Sequence, residues 1–414
     1  MGNVITADIV ILGGGASGLA AAVSAKRTAP YARVLIAERL DRVGKKILAT
    51  GNGRCNLSNK NLSAASYHGS VKNIMEIIEQ TPSAEEFFAS LGVVCTADAE
   101  GRIYPYSRSA ASVLTALRLK ISSLGIEEMC GFYAVKIEIN GGGFRIYSED
   151  NSVIECGKII AACGGYAAPS FGTDGNAIKL FRSMGYRTEK VCPAVAPLRV
   201  SPEELKGLKG VRAKCRVSAV SDGRILRAEK GEIQFTDNSL SGICVFNLAH
   251  IFSEYEGRLS LSVDFMPEIS RRELEELLWS IKEIRSDCPL EDFLSGIFAK
   301  NLAVYIIKKA AAKPLTEKTS SLGRREIINA VSLIKALEFK VTGCSSWQNA
   351  QVTLGGISGA CVDEGLQSKT HKGIYFAGEI LDVCGDCGGF NLEWAWSSGI
   401  WAGEGCAKSI SRKG

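Results

Sequence analysis

Histidine is scarce in this chain: His68, His250 and His371 are the only three in 414 residues. Only one Cys-x-x-C pair, Cys384 and Cys387, stands at ligand spacing. Zinc sites draw on four such ligands at short spacings, so no metal centre is expected. Long Lys/Arg runs with interleaved aromatics are also missing. The net charge of +5 is dispersed, and Arg271-Arg272 and Arg324-Arg325 read as solvated helix faces. Nucleic acid is therefore not an expected partner. Repeats, low-complexity tracts and Pro/Ser-rich linkers are absent. The apolar stretch from Ala7 to Ala25 lacks a basic leader and is broken by four glycines. It reads as a buried strand, turn and helix rather than a signal peptide or membrane span. No membrane partner is expected, and the default location is the cytoplasm.

Fourteen cysteines are scattered from Cys55 to Cys406 without the spacing of a small disulfide scaffold, which points to reduced thiols. The length exceeds what one hydrophobic core usually fills, so two or three domains are expected. Glycine is abundant, at 44 residues, which implies tight turns or close approaches of backbone to a ligand.

Asp8-Ile-Val-Ile-Leu12 is an apolar, β-branched run suited to a buried parallel strand. Glycines follow, then an Ala/Leu-rich helix from Ala16 to Lys26, then a second buried strand, Arg33 to Ala37. Gly13-Gly14-Gly15-Ala16-Ser17-Gly18 fits G-x-G-x-x-G between strand and helix. In that fingerprint the first glycine permits the tight turn, the second lets backbone approach a pyrophosphate, and the third lets helix and strand pack closely. The helix N-terminus offers N–H groups and a positive dipole end to phosphates, so Ala16 and Ser17 join the site. Glu38 ends the second strand about 20 residues on, where a carboxylate binds a ribose diol, with Arg39 beside it.

Farther along, helices are expected over 70–92 and 108–124, with a hairpin over 92–106. Two strands flank the Asn140-Gly-Gly-Gly143 turn, and another buried strand spans 158–162. Residues 189–265 alternate short strands and turns, and 266–344 read as helical. Glycine-rich α/β character returns from Gln351. The expected fold is α/β: a Rossmann-like FAD-binding domain over 1–188 and 345–414, interrupted by an inserted substrate domain over 189–344.

FAD rather than NAD is favoured by a second glycine-rich element, Gly373-Ile-Tyr-Phe-Ala-Gly378-Glu379. Its acid can accept hydrogen bonds from a ribityl hydroxyl or, through water, from the pyrophosphate edge. Gly388-Gly389-Phe390-Asn391 then opens a helix from Leu392 to Ala407. Its N-terminus can aim N–H groups at the flavin N1/C2 edge, where reduced flavin carries negative charge. No second G-x-G-x-x-G opens another βαβ unit. Any NAD(P)H is thus a transient electron donor.

Four segments carry a more specific resemblance. They are Gly44-Lys-Lys-Ile-Leu-Ala-Thr-Gly-Asn-Gly-Arg-Cys-Asn56, Gly101-Arg-Ile-Tyr-Pro-Tyr-Ser107, Gly231-Glu-Ile-Gln-Phe-Thr236 with Ser241-Gly242, and Gly378-Glu-Ile-Leu-Asp382 running on to Asn391. Together they resemble the BaiN/RdsA-type flavoprotein family of the glutathione-reductase-like superfamily, whose members include a bile-acid 4,6-reductase and an aminoacetone oxidase. The resemblance implies an FAD domain with an inserted β-barrel-like and helical region. Cys384 and Asp237 depart from the family's usual acidic residue and His. Within the first segment Lys45 and Lys46 can neutralise pyrophosphate or flavin charge. Thr50, Asn52 and Asn56 can bond the polar isoalloxazine edge, and Gly51 and Gly53 allow backbone near the ring. Val135 is a backbone contact to adenine in the wider superfamily, and Gly164 would cross near the adenosine. Asp382, Gly389, Phe390, Asn391 and Leu392 complete the cofactor set. No catalytic acid is identified; Arg54, Arg102, Tyr104 and Tyr106 are candidates for the substrate face. Cys384 and Cys387 read as small residues in a turn, with a redox dithiol as the alternative.

Three functions follow. The first is an NAD(P)H-dependent reductase of an activated C=C, such as a 3-oxo-4-ene or 4,6-diene bile-acid intermediate. The second is an amine or aminoketone oxidase that makes peroxide. The third is an FAD-binding module acting through RNA or protein partners. The sequence leaves the oligomeric state open.

Overall fold

The computed structural model describes residues 4–255 and 259–410. The chain divides into two compact units, Met1–Cys192 with Gln351–Gly414, and Pro193–Ala350.

The first unit is built on a seven-stranded sheet. Its central strand, Val4–Leu12, runs parallel to Val34–Glu38 on one side and to Val153–Ala161 on the other. Glu127–Cys130 extends the first side, also parallel. On the other side Val153–Ala161 has two neighbours. Its first half pairs antiparallel with Gly143–Ser148, and its second half pairs parallel with Ile374–Phe376. Gly143–Ser148 pairs in turn with Ala134–Asn140.

The central strand is apolar without alternation because both of its faces are covered. Ile9 and Ile11 enter one core with Leu19 and Ala22, whereas Val10 and Leu12 enter the other with Ile159 and Phe376. Helices Ala16–Thr28 and Phe390–Lys408 pack against each other. A Cβ on Gly399 would stand 2.4 Å from the Ser17 carbonyl oxygen, and one on Gly403 2.5 Å from that of Ala21. Only glycine permits this approach, which sets the first turns of Ala16–Thr28 against the middle of Phe390–Lys408.

The helix expected over 70–92 is two helices, Ile74–Gln80 and Ala84–Ala89. Pro82 disfavours continuation through Thr81. Ser83 then starts the second helix with a capping box to Glu86.

The second unit holds a closed barrel. Around it run Leu198–Val200, Ser239–Ser241, Arg224–Phe235, Arg212–Ser221, Leu259–Asp264 and Leu337–Cys344, each antiparallel to its neighbours. Helices Arg271–Ile284, Lys300–Ala311 and Arg324–Lys335 share its core with Phe235, Leu261 and Phe339. The helical reading of 266–344 is corrected at its end, because Leu337–Cys344 is a barrel strand. Leu337 and Phe339 point inward while Glu338 and Lys340 point outward, a period of two that only a strand supports. Among the described residues no helix is long and apolar enough to cross a membrane.

Candidate functional site

The three fingerprint glycines are needed for different reasons. Gly13 has φ +101°, and a Cβ there would lie 2.5 Å from the Ala162 carbonyl oxygen. A Cβ on Gly18 would lie 1.9 Å from the Gly13 carbonyl oxygen. The fold itself demands both. Gly15 has an ordinary extended backbone, φ −82° and ψ −166°, and a Cβ there would meet nothing within 4 Å. Neither strain nor packing asks for glycine at this position. The open space lies at the N-terminus of Ala16–Thr28, which has no side-chain cap and no acid in its first turn. Uncapped N–H groups beside a cleared space suit a polyphosphate.

Glu38 is buried beside this turn. Its Oε2 accepts from Gly14 N at 2.7 Å and its Oε1 from Leu40 N at 2.8 Å. The backbone thus holds the carboxylate still, and each oxygen keeps capacity for a hydroxyl donor. Arg39 does not join Glu38. It pairs with Asp174 at 2.8 Å and lies 4.4 Å over the Tyr133 ring. Val135 falls at the register shift between Ala134 and Lys136 and is exposed. Gly164, at φ +72°, packs on Thr173.

Gly378 lies at the first turn of the same helix: a Cβ on it would stand 2.4 Å from Ser17 Oγ, and its N–H donates to Ser398 Oγ at 2.9 Å. Glu379 is committed within the protein. Lys46 Nζ donates to its Oε2 at 2.7 Å, and Thr353 N donates to its Oε1 at 3.0 Å. Thr353 Oγ1 accepts from Tyr166 N and Ala167 N, at 2.7 and 3.0 Å. Lys45 instead pairs with Asp41. Asp382 bridges two segments, accepting from Ser70 N and Gly355 N at 2.9 Å each. Burial raises its carboxyl above the ordinary aspartate value.

The Gly44–Asn56 segment forms helix Lys45–Ala49 and then a left-handed run. Gly51, Asn52, Gly53 and Cys55 have φ +56°, +55°, +81° and +56°. Thr50 Oγ1 donates to the Ile47 carbonyl at 2.6 Å. Asn56 is buried, and its Oδ1 has no hydrogen-bond partner. That oxygen stands 2.8 Å from where a Cβ on Gly389 would be, and Gly389 is the N-cap of Phe390–Lys408. A buried acceptor of this kind calls for a donor. The uracil-like edge of a flavin carries an N–H donor between two carbonyls, so both the cleared space at Gly15 and the orphaned Asn56 oxygen fit FAD. Asn391 braces the preceding loop, accepting from Gly385 N and donating to Gly385 O, each at 2.7 Å. The Phe390 carbonyl accepts from Tyr67 OH at 3.1 Å. Leu392 is half-buried beside it.

Several groups escaped the sequence reading. Thr353 is one; its only signal is a hydroxyl inside the apolar run Val352–Ile357. Glu393 is another, an acid in the first turn of the closing helix that is only 1% exposed. Its Oε1 accepts from Ser397 Oγ at 3.2 Å, and its Oε2 has no partner. Burial raises its carboxyl above the ordinary glutamate value.

Tyr104 is buried, with the Arg54 and Arg108 guanidinium carbons 5.4 and 4.4 Å from its ring centroid. Tyr106 is 73% exposed. Arg102 is held by Asp98 and Glu100, at 2.7 Å each. None of the fourteen cysteines is disulfide-bonded. Burial pushes the Cys387 thiol up to about 12, the opposite of an activated redox thiol. Among the described residues no three His, Cys, Asp or Glu side chains group as metal ligands.

Residues 7–405 match the family described as HI0933-like protein Rossmann domain. The chain is 35% identical to a 3-dehydro-bile acid delta(4,6)-reductase of Clostridium scindens, over 97% of this chain and 99% of that one. It is 24% identical to a ribosomal RNA dihydrouridine synthase of Haemophilus influenzae, over 98% of each. Among solved structures it resembles the FrdA chain of Escherichia coli quinol fumarate reductase. The TM-score is 0.51 at 14% identity, over 99% of this chain and 71% of that one, which is a likeness of fold.

Proposed function

The chain belongs to the HI0933-like family of Rossmann flavoproteins, FAD-dependent oxidoreductases, and from that premise we propose that it is an NAD(P)H-dependent reductase of an activated C=C bond. The carbon acceptor is a 3-oxo-4-ene or 4,6-diene steroid acid. The observation that carries this reading is the 35% identity, over nearly the whole of both chains, to the bile-acid reductase.

When bound, FAD supplies a two-electron hydride relay between the nicotinamide and the conjugated carbonyl compound. The first unit is the cofactor domain. Gly15, Ala16 and Ser17 present backbone to the pyrophosphate, and Glu38 holds the adenosine ribose. Val135, exposed at the register shift, offers backbone to adenine. Asn56 Oδ1 accepts from the flavin's uracil-like edge, while the N-terminus of Phe390–Lys408 faces developing negative charge. Lys46 and Glu379 act as a pair, so Lys46 is a brace for Glu379 rather than a free phosphate ligand. The nicotinamide visits as a substrate. Fourteen unbridged thiols suit a reducing cytoplasm.

Anaerobic incubation of the purified protein with NADH or NADPH and a 3-oxo-4-ene bile acid tests the proposal. Enone-dependent loss of the nicotinamide absorbance is expected; its absence with both donors rejects the reading. A second reading is favoured by the relatives named ribosomal RNA dihydrouridine synthase, at 24% identity. The uracil C5=C6 bond is also conjugated to a carbonyl, so the same relay would serve it. That reading requires RNA affinity that falls steeply with salt.

A further inference from the structure

Arg54 and Arg108 come from separate segments and converge on one ring. Both guanidiniums lie within 5.4 Å of the Tyr104 centroid, while Tyr104 itself is only 3% exposed. Neither arginine has an acidic partner among the described residues, although both are exposed. Arg108 is held at a backbone cost, with φ +51°. Arg54 has an ordinary right-handed backbone, follows the left-handed Gly51, Asn52 and Gly53, and donates from Nε to the Gly51 carbonyl at 3.2 Å. Gly51 packs against Tyr104, since a Cβ on it would lie 3.7 Å from the ring. Two like charges on one aromatic platform, with no carboxylate between them, leave an anion's place open. A ring face stabilises each cation, and paired guanidiniums bind a carboxylate through several N–H groups.

The residues between Tyr104 and Arg108 do something else. Pro105, Tyr106 and Ser107 line a groove of about 600 Å³ together with Leu91, Val94 and Leu119, and Tyr106 N donates to the Val94 carbonyl at 2.7 Å. Val94, Tyr106 and Leu119 are 69%, 73% and 67% exposed, a cluster of large apolar side chains left to solvent. A single short segment therefore supplies both a cationic platform and an apolar trough.

We propose that this segment is a binding subsite for an amphipathic organic anion, whose carboxylate meets Arg54 and Arg108 and whose apolar body lies in the groove. The proposal rests on the reductase reading only for the identity of the ligand, a steroid acid.

Calorimetry on the oxidised holoprotein, with no electron donor, tests it apart from turnover. The probes are a saturated 3-oxo steroid bearing a side-chain carboxylate, and its methyl ester. The acid is expected to bind roughly tenfold tighter or more, the scale of a hydrogen bond to a charged group. Arg54→Gln and Arg108→Gln should each weaken the acid, and the double variant should remove the acid–ester difference. Leu119→Asp, at an exposed position, should weaken both probes. Flavin content and melting temperature report that each variant is folded. Equal binding of acid and ester by the unaltered protein overturns the proposal. So does a double variant that still prefers the acid. If the double variant loses reduction by NADPH but keeps its preference for the acid, the arginines serve the dinucleotide phosphate and the proposal fails. An arginine-dependent preference without any enone turnover would leave the subsite standing and reject the reductase alone.

Discussion

Two helices meet side by side in the first unit, and both begin on a glycine without a side-chain cap. Their N-termini differ in what the glycine is for. Gly15 adopts a backbone any residue tolerates, and its missing side chain leaves empty space. Gly389 adopts φ +106°, and a Cβ there would stand 2.2 Å from the Ser58 carbonyl oxygen. The fold requires the second glycine, whereas neither strain nor packing requires the first. The first turns differ as well. Ala16–Thr28 begins without an acid, whereas Phe390–Lys408 carries Glu393, buried and shifted towards its neutral form. A carboxyl raised in this way ionises less readily than an ordinary glutamate, and so cancels less of the positive end of the helix dipole. One terminus is thus suited to a permanent phosphate charge, the other to charge that comes and goes.

The largest effect is expected at Gly389. Gly389→Val meets both a left-handed backbone and a carbonyl, so it should lower the unfolding free energy even of the flavin-free protein by about several kcal/mol, the scale of a buried clash with backbone strain, and its melting temperature with it. An unchanged flavin-free melting curve would erase the contrast. Gly15→Val should do the reverse. Its flavin-free stability should hold while FAD affinity falls by roughly a hundredfold, because the side chain fills the phosphate space. A variant that purifies fully yellow breaks the assignment of Gly15 to a ligand. Glu38→Ala should weaken FAD by about tenfold through loss of ribose hydrogen bonds, with Glu38→Gln intermediate. Equilibrium binding followed by flavin fluorescence measures both.

The smallest effect sharpens the second terminus. Glu393 has a raised carboxyl value in the folded state, so above the ordinary glutamate range the folded chain binds more protons than the unfolded one. Stability conferred by the neutral form is complete below the unfolded value and is lost as pH rises towards the folded value. Glu393→Gln should therefore match the unaltered protein near about pH 4 and become the more stable of the two by about pH 8. Thermal unfolding across that range reads the difference. A Gln variant less stable at high pH would mean that the acid is ionised and stabilising in place.

The parts of the first unit legible in sequence are those set by local rules. The apolar run at residues 8–12, the glycine turn and the helix after it appear where composition and spacing put them. The small residues of the closing helix, Gly399 and Gly403, mark the face that approaches Ala16–Thr28. What escaped reading depends on distant partners. Lys46 meets Glu379 across 333 positions, and Thr353 organises the turn near Gly165 from 187 positions away. Arg39 reads as a neighbour of Glu38 but is turned aside by Asp174 and Tyr133. Glu393 looks like any surface acid until packing buries it. Leu337–Cys344 was hidden because its alternation follows directly on a long helical stretch.

We propose that electrons enter from a visiting nicotinamide and leave to a conjugated carbonyl compound. Anaerobic double-mixing tests it most directly. NADH or NADPH is mixed with the yellow protein until the visible flavin absorbance is lost, and a 3-oxo-4-ene steroid acid is then added. The absorbance is expected to return at a rate set by the steroid concentration, without oxygen, with a 4,5-saturated product formed in equal amount. Absorbance that returns only when oxygen is admitted would contradict it.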